Sequence, residues 1–311
     1  MAPIRRATPL DLLLLFLMVG SWAGAFTAIK IAVGETGAVW LAADRVALGF
    51  VCLALASILM PRLRLSTDMP WRRLFVIAIF NVTAPFCLIA WAELHVTASL
   101  TSLLMGAGPF FALAIMHFAT DDERLNGLKI LAAITGFAGV LVAVGPQAVS
   151  DQGTLQILPM LAIMTASLCY IFSGLLVRKT EVDPQAMATG TLFLGTLQLI
   201  PLALLVQGPH PQVAETETLY ALLFLGLLPT GMAYILRYYL IQKVGYSLVV
   251  MGINILPVAG VAIAALTLGE TIPPSMYLAL GLVLAGLLLA RQAQTGAPAS
   301  TTSSDSQVVP K

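Results

Sequence analysis

Ten apolar stretches, each close to the length that crosses a bilayer, fill most of this 311-residue chain. They run at about 10–33, 38–60, 71–92, 97–118, 127–145, 154–177, 186–206, 216–241, 247–267 and 275–290. A hydrocarbon core takes about 20 apolar residues per helix. Backbone groups inside it must pair within the protein, so helices are the expected elements. Polar or Gly/Pro punctuation separates the stretches: Gly34-Glu35, Pro61 to Pro70, Asp121 to Arg124, Pro146 to Gly153, Val182 to Pro184, Gly208 to Pro211, and Pro273-Pro274. Only 10% of residues are charged, against roughly 25% in a soluble domain. A soluble enzyme and a disordered chain are both excluded. A net charge of +1 leaves no nucleic-acid footprint. The expected fold class is all-α integral membrane, with ten transmembrane helices in contact with the lipid bilayer.

Lysine and arginine orient the bundle. Thirteen of sixteen lie at the ends or in every second loop: Arg5, Arg6, Arg62, Arg64, Arg72, Arg73, Arg124, Lys129, Arg178, Lys179, Lys243, Arg291 and Lys311. The alternate loops hold none, which predicts both termini cytoplasmic in a cell (inner) membrane. Lys30, Arg45 and Arg237 fall inside spans. The first apolar run is too long for a signal-peptide core, so it is read as a permanent span. Cys52, Cys87 and Cys169 lie singly in apolar runs and read as small packing residues, with no thiol chemistry or metal site implied. Residues 292–311, rich in Ala, Ser, Thr, Gln and Pro, are expected to form a disordered tail.

The two halves, 10–145 and 154–291, resemble each other. A shift of 148 pairs Trp22 with Tyr170, Lys30 with Arg178, Phe86 with Tyr234, Ser99 with Ser247 and Pro109 with Pro257. After a one-residue gap, Glu123 pairs with Glu270 and Ala138-Gly139 with Ala285-Gly286. Five spans per repeat is an odd number, so the second half enters the membrane from the opposite side. Inverted five-helix repeats are a signature of secondary transporters, whose two related halves present one central site to either side.

Three segments carry a family resemblance: the first span with Trp22, Phe26, Ala28, Ile29 and Lys30; the block TASLTSLLMGAGPFFALAI, with Met105 and Pro109; and GYSLVVMGINILPVAGVAIAALTLGE, with Pro257 and Glu270. In these the chain resembles the ten-span EamA-type exporters of the drug/metabolite transporter superfamily over about residues 10–291. Among them it looks most similar to exporters of aromatic amino acids. Asp121-Asp122-Glu123 departs from the usual Gly-Glu and weakens any role for Glu123. The resemblance implies a central cavity lined by spans one, three, four, six, eight and nine, with spans five and ten as outer supports. It also implies a small-molecule substrate and no cofactor. One site within one chain is compatible with a monomer.

Candidate substrate-binding residues follow on those spans: Trp22, Phe26, Phe86, Trp91, Met105, Tyr170, Tyr234 and Tyr238, with Tyr239 beside them. Aromatic walls would suit planar apolar side chains. Each aromatic has an alternative as a lipid-facing or interfacial anchor. Asn81 and Asn254 place amides in mid-membrane, where each needs a helix or a ligand as partner. Pro85 and Pro257 follow them closely and would bend the helix and free backbone carbonyls. Gly108, with Gly106, and Pro109 and Pro257 are candidate hinges. Gly20/Gly24, Gly136/Gly139 and Gly281 would give smooth packing faces.

The charges inside spans are functional candidates by default. Arg237 is expected to snorkel to the cytoplasmic interface, and Lys30 has the same option at the outer one. Arg45 is expected to make a structural ion pair or to belong to an outer gate with Lys30. Apart from Asp44 no carboxylate is read as lying clearly within a span, which argues against organic-cation exchange. His95, His117 and His210 read as interface residues. No phosphate-binding, metalloprotease or nucleophile motif occurs, so no enzyme activity is expected. The expectation is a secondary carrier that exports amino acids, aromatic or large neutral ones, and related metabolites by alternating access. The alternatives are a carrier for other metabolites or drugs, of which sugar phosphates and nucleotide-sugars would need more mid-depth basic groups, or a channel, which would need an oligomeric pore or charged ring.

Overall fold

The computed structural model describes residues 5–119, 125–148, 153–178 and 180–295, and among these there is no strand. Ten helices have the length and hydropathy to span a membrane: α1 (Pro9–Thr36), α2 (Ala38–Leu59), α3 (Trp71–Glu93), α4 (Ala98–Phe118), α5 (Gly127–Gly145), α6 (Ile157–Arg178), α7 (Pro184–Gln207), α8 (Thr216–Val244), α9 (Met251–Leu268) and α10 (Pro274–Ala293). An even number of crossings puts both ends of the bundle on one face, the terminal face; the other is the far face. The last helix continues to Thr295, so the expected tail begins later than residue 292. Its remainder, with Asp121 to Glu123, Lys179 and Lys311, lies outside the described residues.

Local chemistry sets the helix ends. Thr8 and Asp11 form a capping box at the start of α1, and Pro9 occupies its first turn. The Arg5 guanidinium then pairs with the buried Asp11 carboxylate at 2.6 Å, while the Arg5 backbone N–H donates to the Lys243 carbonyl at the end of α8. At the far face α1 runs through Gly34-Glu35, where a break was expected, and stops at Gly37. Gly37 adopts φ 73°, a left-handed value that favours glycine. A Cβ there would also strike the Gln207 amide of α7. That amide oxygen accepts from the Val39 and Trp40 N–H groups at 2.8 and 2.9 Å, capping α2 with a side chain from the other repeat.

Both repeats carry the same two irregularities. The third helix of each contains a π-helical turn, Ile79–Thr83 in α3 and Gly226–Met232 in α8. The fourth helix of each is interrupted, at Gly106-Ala107 and at Asn254-Ile255. At the shift of 148 residues these features superpose, so the duplication is visible in backbone geometry as well as in sequence. π-turns misalign the hydrogen-bond ladder and are frequent at functional sites. Here each is braced from outside its helix: Gln198 of α7 accepts from the Thr83 hydroxyl at 2.6 Å and donates to the Phe75 carbonyl at 3.0 Å. The Trp22 indole of α1 donates to the Pro229 carbonyl at 2.9 Å.

Helices pair across the two-repeat axis. α2 packs on α7, α5 on α10, and α4 on α9, while α1 packs on α8 and α6 on α3. The α5–α10 pair closes around Phe110, which is fully buried; a Cβ at Gly136 or Gly286 would collide with its ring. Gly139 serves the same contact, against the Ala279 carbonyl. Gly281 and Gly20, expected on packing faces, have nothing within 4 Å, whereas Gly24 meets Phe224. The sequence pattern found small residues without showing which side faced a neighbour. At the α4–α9 crossing the Gly106 backbone lies directly against the Pro257 ring.

Candidate functional site

Two chambers open within the terminal-face half of the bundle. The first, about 450 Å³, lies between α3, α6, α7 and α8 and is lined by Ile77, Asn81, Tyr170, Ser173, Gly174, Val177, Pro184, Met187, Ala188, Thr191, Tyr234, Arg237 and Ile241. The second, about 430 Å³, lies between α4, α6 and α10; Met105, Gly108, Pro109, Ser167, Tyr170, Gly174 and Ala290 are among its walls. Tyr170 and Gly174 of α6 border both, so the two chambers, here called lobes, meet at one helix. The volume suits a solute of amino-acid size.

Several expected residues come together here. Asn81, Tyr170 and Tyr234 stand in the first lobe, and Met105, Gly108 and Pro109 in the second. Others do not. Trp22 and Phe26 border neither lobe; Trp22 spends its N–H on Pro229, and Phe26 packs against the core between α1, α2 and α8. Phe86 is buried beneath Arg45, and Asn254 sits half-buried in the break of α9. Pro257 is buried against Gly106. The side chain of Tyr238 lies outside the described residues. Trp91 is corrected: it is 39% exposed on the outer face of α3 beside Leu94, edge-on to His95, because Ala90, Ala92 and Glu93 take the inward positions.

The far face is shut by polar contacts. Lys30 does not snorkel; its ammonium donates to the Glu93 and Val96 carbonyls at 2.6 and 2.9 Å, a cation on a helix C-terminus. Glu270 caps α4, accepting from the Ala98 and Ser99 N–H groups at 2.9 and 3.0 Å. Glu35 accepts from Ala214 at 2.6 Å, tying α1 to the loop before α8. Arg45 is buried without the expected ion pair among the described residues. Its Nε donates to the Thr230 hydroxyl at 2.8 Å, and its guanidinium lies 4.0 Å over the Phe86 ring. Its neighbour Asp44 turns the other way, to His210 at 3.0 Å. The His210 Nδ1 faces the Pro211 carbonyl at 2.7 Å, so both ring nitrogens meet acceptors. Only the imidazolium donates to both. Partial burial opposes that charge, but the hydrogen bond and charge of Asp44 outweigh it and raise the ring's pKa above its usual value.

Glu93 closes α3 with no side-chain exposure, and neither carboxylate oxygen has a hydrogen-bond partner among the described residues. A buried carboxylate therefore exists, but within the far-face seal and outside both lobes. Among the described residues the lobes are lined by no acid. Arg237, expected to snorkel to the cytoplasmic interface, lines the first lobe in the terminal-face half of α8. Its spacing offered the signal: Tyr234, Arg237 and Ile241 share one helix stripe, and all three face the lobe. Ser173 and Thr191 were not singled out by sequence, because hydroxyls this common in spans carry no pattern.

A family model described as the EamA-like transporter family matches the chain twice, at residues 10–145 and 157–292. The chain belongs to this family. A relative from Streptantibioticus cattleyicolor, named "Probable terminal-alkyne amino-acid exporter", is 29% identical over 294 residues, covering 91% of this chain and 93% of its own. An uncharacterized transporter from Archaeoglobus fulgidus is 25% identical, with 89% of this chain and 97% of its own covered. The transporter YdfC of Bacillus subtilis is 28% identical over 87% of each chain. A solved crystal structure superposes with a TM-score of 0.66 at 16% identity, covering 92% of this chain and 99% of the other, a likeness of fold. This EamA-family chain is thus a transporter and a multi-pass membrane protein, and its homologues imply a small-molecule substrate rather than a reaction.

Proposed function

We propose that this transporter is a secondary carrier exporting amino acids, large neutral or aromatic ones, across the cell membrane by alternating access. One observation carries the reading: equivalent residues of the two repeats are open at one face and closed at the other. Asn81, Tyr170, Gly174 and Tyr234 line the terminal-face lobe. Their partners at a shift of 148 are Pro229, Trp22, Phe26 and Phe86. These lie on the far-face side of the inverted arrangement, where Trp22 is bonded to Pro229 and Phe86 is covered by Arg45. Exchange of conformations between the halves would open that second set and close the first, as inverted repeats allow. Trp22, Phe26 and Phe86 then join the wall of the far-open state.

The positive-inside pattern supports a cytoplasmic terminal face, and on that reading this conformation loads solute from inside the cell. Tyr170, Tyr234 and apolar neighbours favour a solute with an aromatic or large apolar group. The Streptantibioticus relative's name points to the same class. One arginine in the first lobe is too little positive charge for a sugar phosphate or nucleotide-sugar, which calls for convergent basic groups. The test is counterflow: purified protein in liposomes loaded with each of the twenty amino acids in turn. Saturable, trans-stimulated exchange of phenylalanine or leucine is expected. Exchange of none of the twenty would remove the substrate reading.

A further inference from the structure

Arg237 sits about two turns before the end of α8 at Val244. Among the described residues lining the first lobe it is the one that is formally charged. Its Nε is sealed from solvent and has no hydrogen-bond partner, and no ion pair holds the guanidinium among the described residues. The side chain borders the lobe opposite Asn81, Ser173 and Thr191, in a space with no acid among the described residues of its walls. A buried N–H without an acceptor is costly, and a ligand carboxylate that accepts from it would relieve that cost. Its planar fork matches a carboxylate through two parallel hydrogen bonds.

We propose that Arg237 anchors the carboxylate of the transported solute, so that a free carboxylate is a requirement for binding in the terminal-face lobe. The assignment rests on the amino-acid reading above and narrows it. It also sets a pose. Tyr234 lies one turn deeper on the same stripe of α8, with Tyr170 across the lobe. The carboxylate therefore stays toward the terminal face while the side chain points inward to the two tyrosine rings. The ammonium group is left to the neutral acceptors of Asn81 and Ser173, and contributes less. On this account 3-phenylpropionate, which lacks the ammonium, binds better than phenethylamine or phenylalanine amide, which lack the carboxylate.

The experiment uses the full chain in liposomes loaded with labelled phenylalanine, with these four compounds as external competitors. Phenylalanine and 3-phenylpropionate should compete, and the two carboxylate-free compounds should not. Arg237→Gln should raise KM for phenylalanine about ten- to a hundredfold, the worth of a charged hydrogen-bonded contact, and should abolish the preference for carboxylates. Arg237→Lys should recover part of it. Equal competition by phenethylamine, or an unchanged KM in a folded Arg237→Gln protein, overturns the assignment while leaving the carrier reading intact. Ligand-induced melting shifts of the purified protein separate the remaining cases. If no amino acid exchanges but 3-phenylpropionate stabilises wild type and not Arg237→Gln, the anchor stands and the amino-acid reading falls. If no carboxylate stabilises wild type, the anchor falls.

Discussion

The α4–α9 crossing joins the two repeats at their matched helix breaks, and Gly106→Ala tests how tightly. A Cβ at Gly106 would lie 2.3 Å from the Pro257 Cγ and 3.0 Å from both the Pro257 Cβ and the Leu103 carbonyl oxygen. Carbon atoms settle at about 3.5–4.0 Å, so the ring or the helix must retreat by roughly 1.2 Å or more. A proline ring cannot rotate away as a flexible side chain would. Overpacking of this kind costs about 1–3 kcal/mol. Even offset by a few tenths from the lower flexibility of alanine in the unfolded chain, a net loss of about 2 kcal/mol remains. Thermal melting of the detergent-solubilised protein should then fall by about 4–8 °C. The double variant Gly106→Ala/Pro257→Ala should recover about 1–2 kcal/mol relative to the sum of the single changes, because the colliding ring is gone. Exchange rates should drop in the single variant and partly return in the double one. An unchanged melting point, or strict additivity, would refute the claim that this contact is closely packed.

Three further outcomes are expected at the far face. Gln207→Ala leaves the Val39 and Trp40 N–H groups without their acceptor and should lower stability by about 1–2 kcal/mol, read by the same melts. Lys30→Met removes the cation from the Glu93 and Val96 carbonyls. A loss of about 1–2 kcal/mol from the closed arrangement would favour far-face opening about five- to thirtyfold, seen as faster labelling of an Ala43→Cys reporter; slower or equal labelling would count against a closing role. His210 has a raised folded-state pKa. Its contribution to closure is fully present below the unfolded value near 6.5 and is lost as pH rises through the folded value. Far-face labelling should therefore increase with pH in wild type and lose that dependence in His210→Ala.

The ten helices and their inversion were legible because they depend on quantities a sequence displays directly: apolar length, the parity of basic loops, and ordered pairs at one shift. Asn81 and Pro85 marked α3 as irregular, and the π-turn is there. What stayed hidden was direction. Lys30 and Arg237 each lie within reach of a span end, and length alone cannot tell a side chain that leaves the bundle from one that turns inward. Lys30 turned onto a helix end in the other half of its own repeat, and Arg237 into a lobe formed by three other helices. The Lys30 acceptors and the α3, α6 and α7 walls that Arg237 faces are all tens of residues or more away in sequence. Trp91 failed for the complementary reason: aromatic chemistry suits a cavity wall and a lipid interface equally, and the facing is decided by its buried neighbours Ala90, Ala92 and Glu93. Glu93 itself reads as a span-end acid, and only packing from several helices makes it buried.

The central claim is that one space opens to the two faces in turn, and paired cysteine accessibility tests it most directly. In a background lacking Cys52, Cys87 and Cys169, Gly174→Cys places a thiol in the terminal-face lobes, where nothing lies within 4 Å of the new Cβ. Ala43→Cys places one in the sealed far half, at a position now 1% exposed. With a membrane-impermeant maleimide applied to either side of reconstituted vesicles, Gly174→Cys should react only from the terminal face and Ala43→Cys only from the far face. Saturating phenylalanine on one side should move the two rates in opposite directions. Fast labelling of both sites at once, unaffected by which side holds the solute, would contradict alternating access and point to a continuous pore.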